Sequence, residues 1–243
     1  MNNDDTAEIR TAIIEKIRKN RISTTEIADC LGKTGAVPNI RPLNEGHHKV
    51  GRAELVYAYN ESNWGLHKLI EDVPEDCILI VENHECGDRA IFGEIVAKYL
   101  TLYRGVNGLV VNGLLRDASI LNNEDYPIWA KGTTPIGCFN KPHEEPLDEE
   151  IIAKWGERYE GAVVVCDDGG VVIIPKKDLT NEFLDKLEFI ELQEDIWHYC
   201  VDTKKWSTYR TICKKDYLDT ELLPNELSEK FEEFVKWLDL EES

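Results

Sequence analysis

The chain has 243 residues, enough to bury a full hydrophobic core as one large or two small domains. Its 28 Lys and Arg residues are outnumbered by 47 Asp and Glu residues, and the formal net charge of −19 argues against direct nucleic-acid or anionic-membrane binding. No stretch reaches the roughly 18 apolar residues of a membrane span, and the first residues lack the basic and apolar regions of a signal peptide. These features predict a cytoplasmic protein.

The N-terminal part predicts two helices, a strand and a third helix. Apolar residues recur on one helical face over 6–20: Ile9, Ala12, Ile13 and Ile17. Ser23 and Glu26 form a capping-box pattern for a second helix that ends at Gly32. After a connection rich in Pro, Asn and Gly, residues 48–59 are β-rich and residues 62–73 return to helical spacing.

A strand, a helix and a second strand follow, in the order of a crossover unit. Residues 77–83 and 108–115 are continuous apolar runs, and Gly93 begins a helical pattern over 93–103. That pattern places five side chains on one face: Ile95, Val96, Tyr99, Leu100 and Tyr103. Because a crossover leaves both strand ends at one edge of a sheet, Gly93 and Arg116 are expected to lie close together.

Two charged residues, Arg116 and Asp117, stand directly after the second buried run. A guanidinium group can hold an anionic substrate and a carboxylate can hold a divalent cation, but a plain surface ion pair explains the same residues. Backbone N–H groups after Gly93 would attract a carboxylate or phosphate at a helix N-terminus. Glu94 taken alone is better explained by complementarity to the helix dipole.

The C-terminal half predicts a short strand within 126–137, a solvated acidic helix over 144–160 and a hairpin over 161–175. Long amphipathic patterns begin at Asp178 and after Pro224. The last pattern places four side chains in register: Leu227, Phe231, Phe234 and Leu238. We predict one α/β domain over 1–200 and a C-terminal extension with an amphipathic helix over 201–243.

Other candidate metal or redox residues give weaker signals. The seven cysteines are odd in number and scattered, with no C-x-x-C pair, which predicts reduced and mostly buried thiols. His47 and His48 lack the spacing of a helical zinc pair and are interpreted as loop residues. Asp167 and Asp168 could be metal ligands, but turn chemistry is sufficient to explain them.

Three blocks resemble the RraA-like family, which includes the regulator of ribonuclease activity A and the 4-hydroxy-4-methyl-2-oxoglutarate aldolases. They are GEIVAKYLTLYRGVNGLVVNGLLRD, YPIWAKGTTP and CDDGGVVIIP, and STTEIADCLGKTG and KVGRAELVYA also fit. The resemblance covers roughly residues 8–195. It implies a swivelling β/β/α sandwich, here with a C-terminal helical extension, that assembles as a trimer or hexamer with the active site at a subunit boundary.

The resemblance also implies roles for individual residues. Asp117 would be the direct ligand of Mg²⁺ or Mn²⁺, and Arg116 would bind the carboxylate of a 2-oxo acid. The turn from Gly93 through Glu94 and Ile95 to Val96 would complete the substrate pocket. Glu94 stands where the aldolases carry an acidic residue that orients water on the metal, and Lys141 aligns with a base near the substrate.

The chemistry of such a site follows from these residue types. Retro-aldol cleavage, or decarboxylation of oxaloacetate, leaves a pyruvate enolate whose negative oxygen needs a fixed positive neighbour. A hard cation with one carboxylate ligand and several waters can take the 2-oxo group and one carboxylate oxygen together.

The chain also departs from the aldolase pattern. Ile120 stands where an acidic residue is expected three positions after Asp117, and the acidic helix over 144–160 replaces a strand. The acidic residue that a neighbouring subunit would donate has three candidates: Glu188, Glu191 and Glu194.

Three functions remain open from the sequence. The first is a metal-dependent carbon–carbon lyase, an aldolase or oxaloacetate decarboxylase that releases pyruvate. The second is a non-catalytic regulator of ribonuclease activity that acts by protein–protein binding, for which the acidic charge would suit an Arg-rich partner segment. The third is a structural oligomer with a vestigial site. The joint presence of Gly93, Glu94, Arg116 and Asp117 favours the lyase.

Overall fold

The computed structural model describes residues 3–232, with side chains over 7–219 and 221–232. The chain divides into two compact units, Met1–Asn181 and Glu182–Ser243. The sequence predicts the boundary after residue 200. The boundary in the structure therefore lies nearer the N-terminus, and it places nearly all of the long helix Asn181–His198 in the C-terminal unit.

The first unit contains one mixed eight-stranded sheet and six helices. The strands are β1 (Arg41–Pro42), β2 (Lys49–Tyr59), β3 (Cys77–His84), β4 (Ala90–Phe92), β5 (Gly108–Leu115), β6 (Ile128–Thr133), β7 (Val163–Asp167) and β8 (Gly170–Ile174). The helices are α1 (Asn3–Asn20), α2 (Thr24–Cys30), α3 (Trp64–Leu69), α4 (Glu94–Lys98), α5 (Ala118–Asn123) and α6 (Glu149–Tyr159).

The strand order is β1-β6-β5-β3-β2-β7-β8, with β4 paired to β5 beyond the end of β3. The pairs among β2, β3, β5 and β6 are parallel, whereas β1, β7 and β8 pair antiparallel. Ahead of β1, the Val37 N–H donates to the Val171 carbonyl at 2.9 Å, so the segment before one edge strand bonds to the other. The sheet is therefore nearly closed, and the predicted α/β class is confirmed.

Both faces of the central strands are buried. In β3, Ile78 and Ile80 face the inside of the curved sheet, where Trp129 and Tyr159 also lie. Leu79 and its neighbours on the opposite face pack with apolar residues of α3 and α4. This two-sided burial explains why these strands read as continuous apolar runs rather than as alternating ones.

The local signals for α2 and for the β7–β8 hairpin are confirmed. The Glu26 N–H donates to the Ser23 hydroxyl at 3.2 Å and the Ser23 N–H donates to the Glu26 carboxylate at 2.7 Å, which completes the capping box of α2. In the β7–β8 hairpin, Asp167 accepts hydrogen bonds from Thr24 and Gly169, and Asp168 accepts one from the Gly46 N–H. Both carboxylates are thus used in turn and loop bonding.

The second unit consists of α7 (Asn181–His198) and shorter helical turns: Tyr199–Thr203, Tyr209–Cys213, Asp216–Leu218 and Thr220–Leu222. A final helix begins at Asn225 and is described to Glu232. This unit has an apolar cluster of its own, comprising Ile196, Cys200, Tyr217, Leu223 and Phe231. The predicted in-register residues Phe234 and Leu238 lie outside the described residues.

Two features of the first unit differ from the sequence expectation. The short strand β4 lies between β3 and Gly93, in a stretch for which the sequence predicts no strand. The helix after Gly93 is α-helical only to Lys98 and continues as a π-helical turn, Tyr99–Tyr103. Ile95 and Tyr103 are exposed, so the five predicted side chains do not share one buried face. The wider π turn rotates Tyr103 away from the core.

Searched over residues 3–232, the chain has no helix that combines the length and the apolar character needed to cross a membrane.

Candidate functional site

Two parallel strands bring the predicted site residues to one edge of the sheet. In the register of β4 and β5, Phe92 lies opposite Leu115, and the Arg116 N–H donates to the Phe92 carbonyl at 3.0 Å. Gly93 and Glu94 leave β4 where Arg116 and Asp117 leave β5, so the predicted proximity of Gly93 and Arg116 is present. The strand that precedes the helix in this arrangement is β4 rather than β3.

Asp117 connects the two chain segments. Its backbone is left-handed, with φ of +61°, a conformation that Asp tolerates better than most residues. The carboxylate accepts a hydrogen bond from the Glu94 N–H at 3.1 Å. Asp117 therefore precedes α5 in the chain but satisfies a backbone donor at the start of α4.

Gly93 leaves the space that this contact requires. A Cβ atom at position 93 would overlap the Asp117 carboxylate and lie 2.7 Å from Cγ of Arg116. Only glycine fits between the two side chains, and the reason is contact distance, since its own φ of −139° is open to any residue.

The Arg116 guanidinium lies beside Asp117 without closing a short ion pair. Its Nε is 3.6 Å from the Asp117 carboxylate, and the side chain is 50% exposed. A Cβ atom at Gly137 would lie 2.7 Å from Nη1 of Arg116, so the backbone of that segment backs the guanidinium. The exposed fork remains available to an anion from solvent.

Arg89 anchors the segment that backs Arg116. Its Nη1 donates to the Gly137 carbonyl at 3.2 Å, its guanidinium carbon is 4.3 Å from the centre of the Phe139 ring, and its Nε is 3.2 Å from Glu61. Sequence reasoning singled out neither Arg89 nor Gly137. The contact joins residues 48 positions apart in the chain, and no local sequence pattern predicts it.

The remaining predicted site residues differ in burial and in the groups that they contact. The Glu94 side chain is partly buried, and its carboxylate is 3.9 Å from Nζ of Lys98 one helical turn on. Val96 is buried in the core, whereas Ile95 is 77% exposed. Lys141 is exposed and places its Nζ 5.3 Å from the centre of the Phe139 ring, on the segment that continues from Gly137.

The donor set at the site fits a weakly held hard cation. Asp117 offers an exposed carboxylate, and Mg²⁺ commonly takes one or two carboxylates and fills its other positions with water or substrate oxygens. Over the described residues, no group of three or more His, Cys, Asp or Glu side chains could hold a metal ion together. A dedicated all-protein metal cage is therefore absent from that part of the chain.

A comparison with protein-family models identifies the family of this chain. Residues 24–173 match the family model described as "RraA-like: Aldolase/RraA", a range that contains every residue named in this candidate site. The chain belongs to the RraA-like family. The match includes the hairpin and the second helix, so it extends well beyond the site.

Individual relatives of this RraA-like chain agree with the assignment. A protein of Halalkalibacterium halodurans, provisionally named 4-hydroxy-4-methyl-2-oxoglutarate aldolase, is 35% identical over 165 residues, covering 66% of this chain and 76% of that protein. Protein DlpA of Legionella pneumophila is 23% identical over 189 residues, or 74% of this chain, but only 30% of DlpA is covered.

Solved structures show the same fold. An uncharacterized protein from Pseudomonas syringae pv. tomato has a TM-score of 0.61 at 21% identity, covering 82% of this chain and 96% of that one. Streptomyces coelicolor RraAS2 has a TM-score of 0.57 at 21% identity, covering 74% and 94%. The expected RraA-like fold, with additional C-terminal helices, is thereby confirmed.

Proposed function

We propose that this RraA-like chain is a divalent-metal-dependent lyase that cleaves a carbon–carbon bond of a small 2-oxo acid and releases pyruvate. The substrates proposed are 4-hydroxy-4-methyl-2-oxoglutarate and oxaloacetate. One observation carries the proposal: the Asp117 carboxylate, the Arg116 guanidinium and the start of α4 converge around Gly93. The relative from Halalkalibacterium halodurans, provisionally named an aldolase, supplies the reaction class.

Arg116 is the proposed anchor for the substrate. Its half-exposed fork can bind a carboxylate through two parallel hydrogen bonds, while Gly137 and Arg89 limit its movement. The N–H groups of Ile95 and Val96 lie in the first turn of α4, where backbone donors have no acceptor within the helix. These groups can bind further substrate oxygens and fix their orientation.

Asp117 is the proposed ligand of Mg²⁺ or Mn²⁺, and the ion would act as a Lewis acid on the 2-oxo group. The hydrogen bond from the Glu94 N–H fixes the position of the carboxylate before any ion binds. The Glu94 carboxylate would accept a hydrogen bond from water bound to the ion. The proposed catalytic set is therefore Arg116, Asp117, Glu94 and Lys141.

Lys141 is proposed as the base that removes the hydroxyl proton of an aldol substrate. Decarboxylation of oxaloacetate has no such proton to remove. Lys141→Met should therefore lower pyruvate release from 4-hydroxy-4-methyl-2-oxoglutarate far more than pyruvate release from oxaloacetate. Equal losses with both substrates would assign Lys141 to binding rather than to proton transfer.

One assay tests the proposed class directly. Pyruvate release is measured from both substrates with Mg²⁺, with Mn²⁺, and after addition of EDTA. Metal-dependent turnover of either substrate is the expected result, and the ratio of the two rates identifies the preferred reaction. Turnover that is unchanged by EDTA, or no turnover with any metal, would contradict the proposal.

A second candidate function is regulation by protein–protein binding without catalysis. The helix beside the site exposes Ile95, Leu102 and Tyr103, and the chain is strongly acidic. The solved relative RraAS2 is described as an unusual member of the RNase ES inhibitor RraA protein family. Calorimetric titration with a purified RNase ES would support this function only if binding survives Arg116→Ala while pyruvate release is absent.

A further inference from the structure

Two cysteines that are far apart in the sequence meet beside the candidate site. Cys86 lies in the turn between β3 and β4, and Cys138 lies in the segment after β6. The Ala90 carbonyl accepts the Cys138 N–H at 2.9 Å, and the Ala90 N–H donates to the Ile136 carbonyl at 2.7 Å. These bonds hold the two segments side by side.

A second set of backbone bonds fixes the same alignment from the other end. The Glu61 N–H donates to the Glu85 carbonyl at 3.1 Å, and the Glu61 carbonyl accepts the Phe139 N–H at 2.8 Å. Glu61 thereby links the residue before Cys86 to the residue after Cys138. The two cysteines between these anchors both belong to the same buried cluster.

The Cys86 Sγ donates to the His84 carbonyl at 3.8 Å. The interaction with the neighbouring Cys86 thiol, together with the positive charge of Arg89, lowers the pKa of Cys138, while the interaction with Cys138 and burial raise the pKa of Cys86. Both residues are buried, Cys86 at 1% exposed and Cys138 at 9% exposed, so Cys138 is the less deeply buried of the two. One thiol of the pair thus has the character of an attacking group and the other of a resolving group.

We propose that Cys86 and Cys138 are a modification site, a dithiol that a hydroperoxide or a low-molecular-weight disulfide oxidises to an intrachain disulfide. With a hydroperoxide, the Cys138 thiolate attacks the outer oxygen and becomes a sulfenic acid while the alcohol leaves. Cys86 then attacks the Cys138 sulfur and water leaves. Two thiols lose two protons and two electrons, and the hydroperoxide is reduced to an alcohol and water.

With a small disulfide, the same pair reacts by exchange. Cys138 attacks one sulfur and releases one thiol, and Cys86 resolves the mixed disulfide and releases the second. The chain carries five further cysteines as internal references: Cys30, Cys77, Cys166, Cys200 and Cys213. Cys213 is exposed, so its oxidation measures how far simple accessibility determines reactivity. Cys77 is buried and does not belong to the proposed pair, so its oxidation measures the reactivity of a buried thiol in general.

Peptide mapping of the oxidised protein tests the proposal. The reduced full-length chain is treated with a small molar excess of hydrogen peroxide or oxidised glutathione, alkylated, and digested with trypsin and a glutamate-specific protease. Cleavage after Glu82 and Glu85 separates Cys77 from Cys86. The expected product is a single linked peptide pair, Cys86 with Cys138, that dithiothreitol reverses, while the other cysteines remain alkylated.

Matched variants assign the roles. In Cys86→Ser, peroxide should leave Cys138 as a sulfenic acid that dimedone traps, and the linked peptide should be absent. Cys77→Ser should still form the cross-link. If the wild-type chain forms no Cys86–Cys138 link, or if Cys213 is modified while Cys138 stays reduced, the proposal is overturned. The wild-type map decides the question even if a serine variant fails to fold.

Discussion

Asp117 serves the fold and the proposed metal site with the same carboxylate. Asp117→Asn keeps an oxygen that can accept the Glu94 N–H but removes the charge. We expect thermal stability close to wild type and loss of Mn²⁺ binding, measured by calorimetry with oxalate present to supply two substrate-like oxygens. Asp125→Asn is the matched control, since Asp125 is also an aspartate with positive φ. Retained Mn²⁺ binding in Asp117→Asn would place the metal elsewhere.

Substitutions at Arg116 distinguish a role in substrate binding from a role as a structural ion-pair partner of Asp117. Arg116→Ala should lower kcat/KM by roughly 10- to 150-fold, the equivalent of about 1.5–3 kcal/mol for hydrogen bonds to a charged group. Arg116→Lys keeps the charge but loses the fork, so its activity should fall by less. Arg104→Lys, at a guanidinium that binds the Val73 carbonyl, controls for general effects. Unchanged pyruvate release in Arg116→Ala, or unfolding, would remove the main support for the lyase.

At the scale of secondary-structure elements, a buried glutamate ties α6 to the sheet. Glu82 of β3 is 3% exposed and accepts hydrogen bonds from the Tyr159 hydroxyl and from Asn112 at 2.5 Å. Burial and the neighbouring Glu82 raise the pKa of Tyr159. The Tyr159 hydroxyl therefore stays protonated, and still donates to Glu82, at a pH at which a free tyrosine has ionised.

Tyr159→Phe should destabilise the protein by about 1.5–3 kcal/mol, because a buried carboxylate loses a donor. Since the folded pKa of Tyr159 is raised, this contribution is fully present below the unfolded pKa of about 10 and is lost as the pH rises through the folded value. Urea denaturation of wild type and variant from neutral to alkaline pH measures the difference. Tyr57→Phe, on the adjacent strand, is the control. An equal loss in both variants would mean that removing a tyrosine hydroxyl has a general effect on stability that does not depend on the bond to Glu82.

Elements with a strong local sequence pattern were predictable, whereas elements that form only through a tertiary partner were not. β5 was expected over 108–115 and runs from Gly108 to Leu115, because a continuous apolar run between glycines has few other interpretations. β4 has only three residues and exists because β5 offers it a partner. The π turn at Tyr99–Tyr103 likewise follows from packing rather than from residue type.

The candidate site was predictable in part for the same reason. Strand order alone predicted that Gly93 and Arg116 meet, since their segments are anchored by strong local patterns. The supports supplied by Arg89 and Gly137, and the Cys86–Cys138 pair, depend on the path of a loop whose residues carry no periodic signal. Whether the predicted roles of Arg116, Asp117, Glu94 and Lys141 hold stays a prediction until activity is measured.

At the scale of the whole molecule, we propose that the protein is a homo-oligomer, most simply a trimer, as its family resemblance implies. Leu102 is 60% exposed on the helix beside the site, more than a core-facing leucine would be. Light scattering should give three chains per particle, and Leu102→Glu should shift the particle toward one chain. Leu69→Glu, at an exposed leucine of α3, is the control. A monomeric wild type at micromolar concentration would contradict both parts.

The two compact units suggest a second test at this scale. The proposed catalytic set of Arg116, Asp117, Glu94 and Lys141 lies within Met1–Asn181, and the C-terminal unit has its own apolar cluster. A chain that ends at residue 181 is expected to fold cooperatively and to bind Mn²⁺ with oxalate. Circular dichroism melting and calorimetry measure the two properties, with the full chain as reference. A truncated chain that does not melt cooperatively would show that the first unit requires the second.

The close fit of Gly93 against Asp117 also limits how this sequence can change. Away from helix N-caps, replacing glycine by alanine where the backbone conformation suits both residues usually stabilises a protein by about 0.4–1 kcal/mol, and stability engineering exploits this routinely. Here the added methyl group would displace the carboxylate and Arg116, so the sign should reverse. Removing the carboxylate first would relieve the closest contact but would leave the 2.7 Å approach to Cγ of Arg116, and it would abolish the proposed site. Positions 93 and 117 are therefore expected to be coupled, so that the effect of a change at Gly93 depends on the residue at position 117.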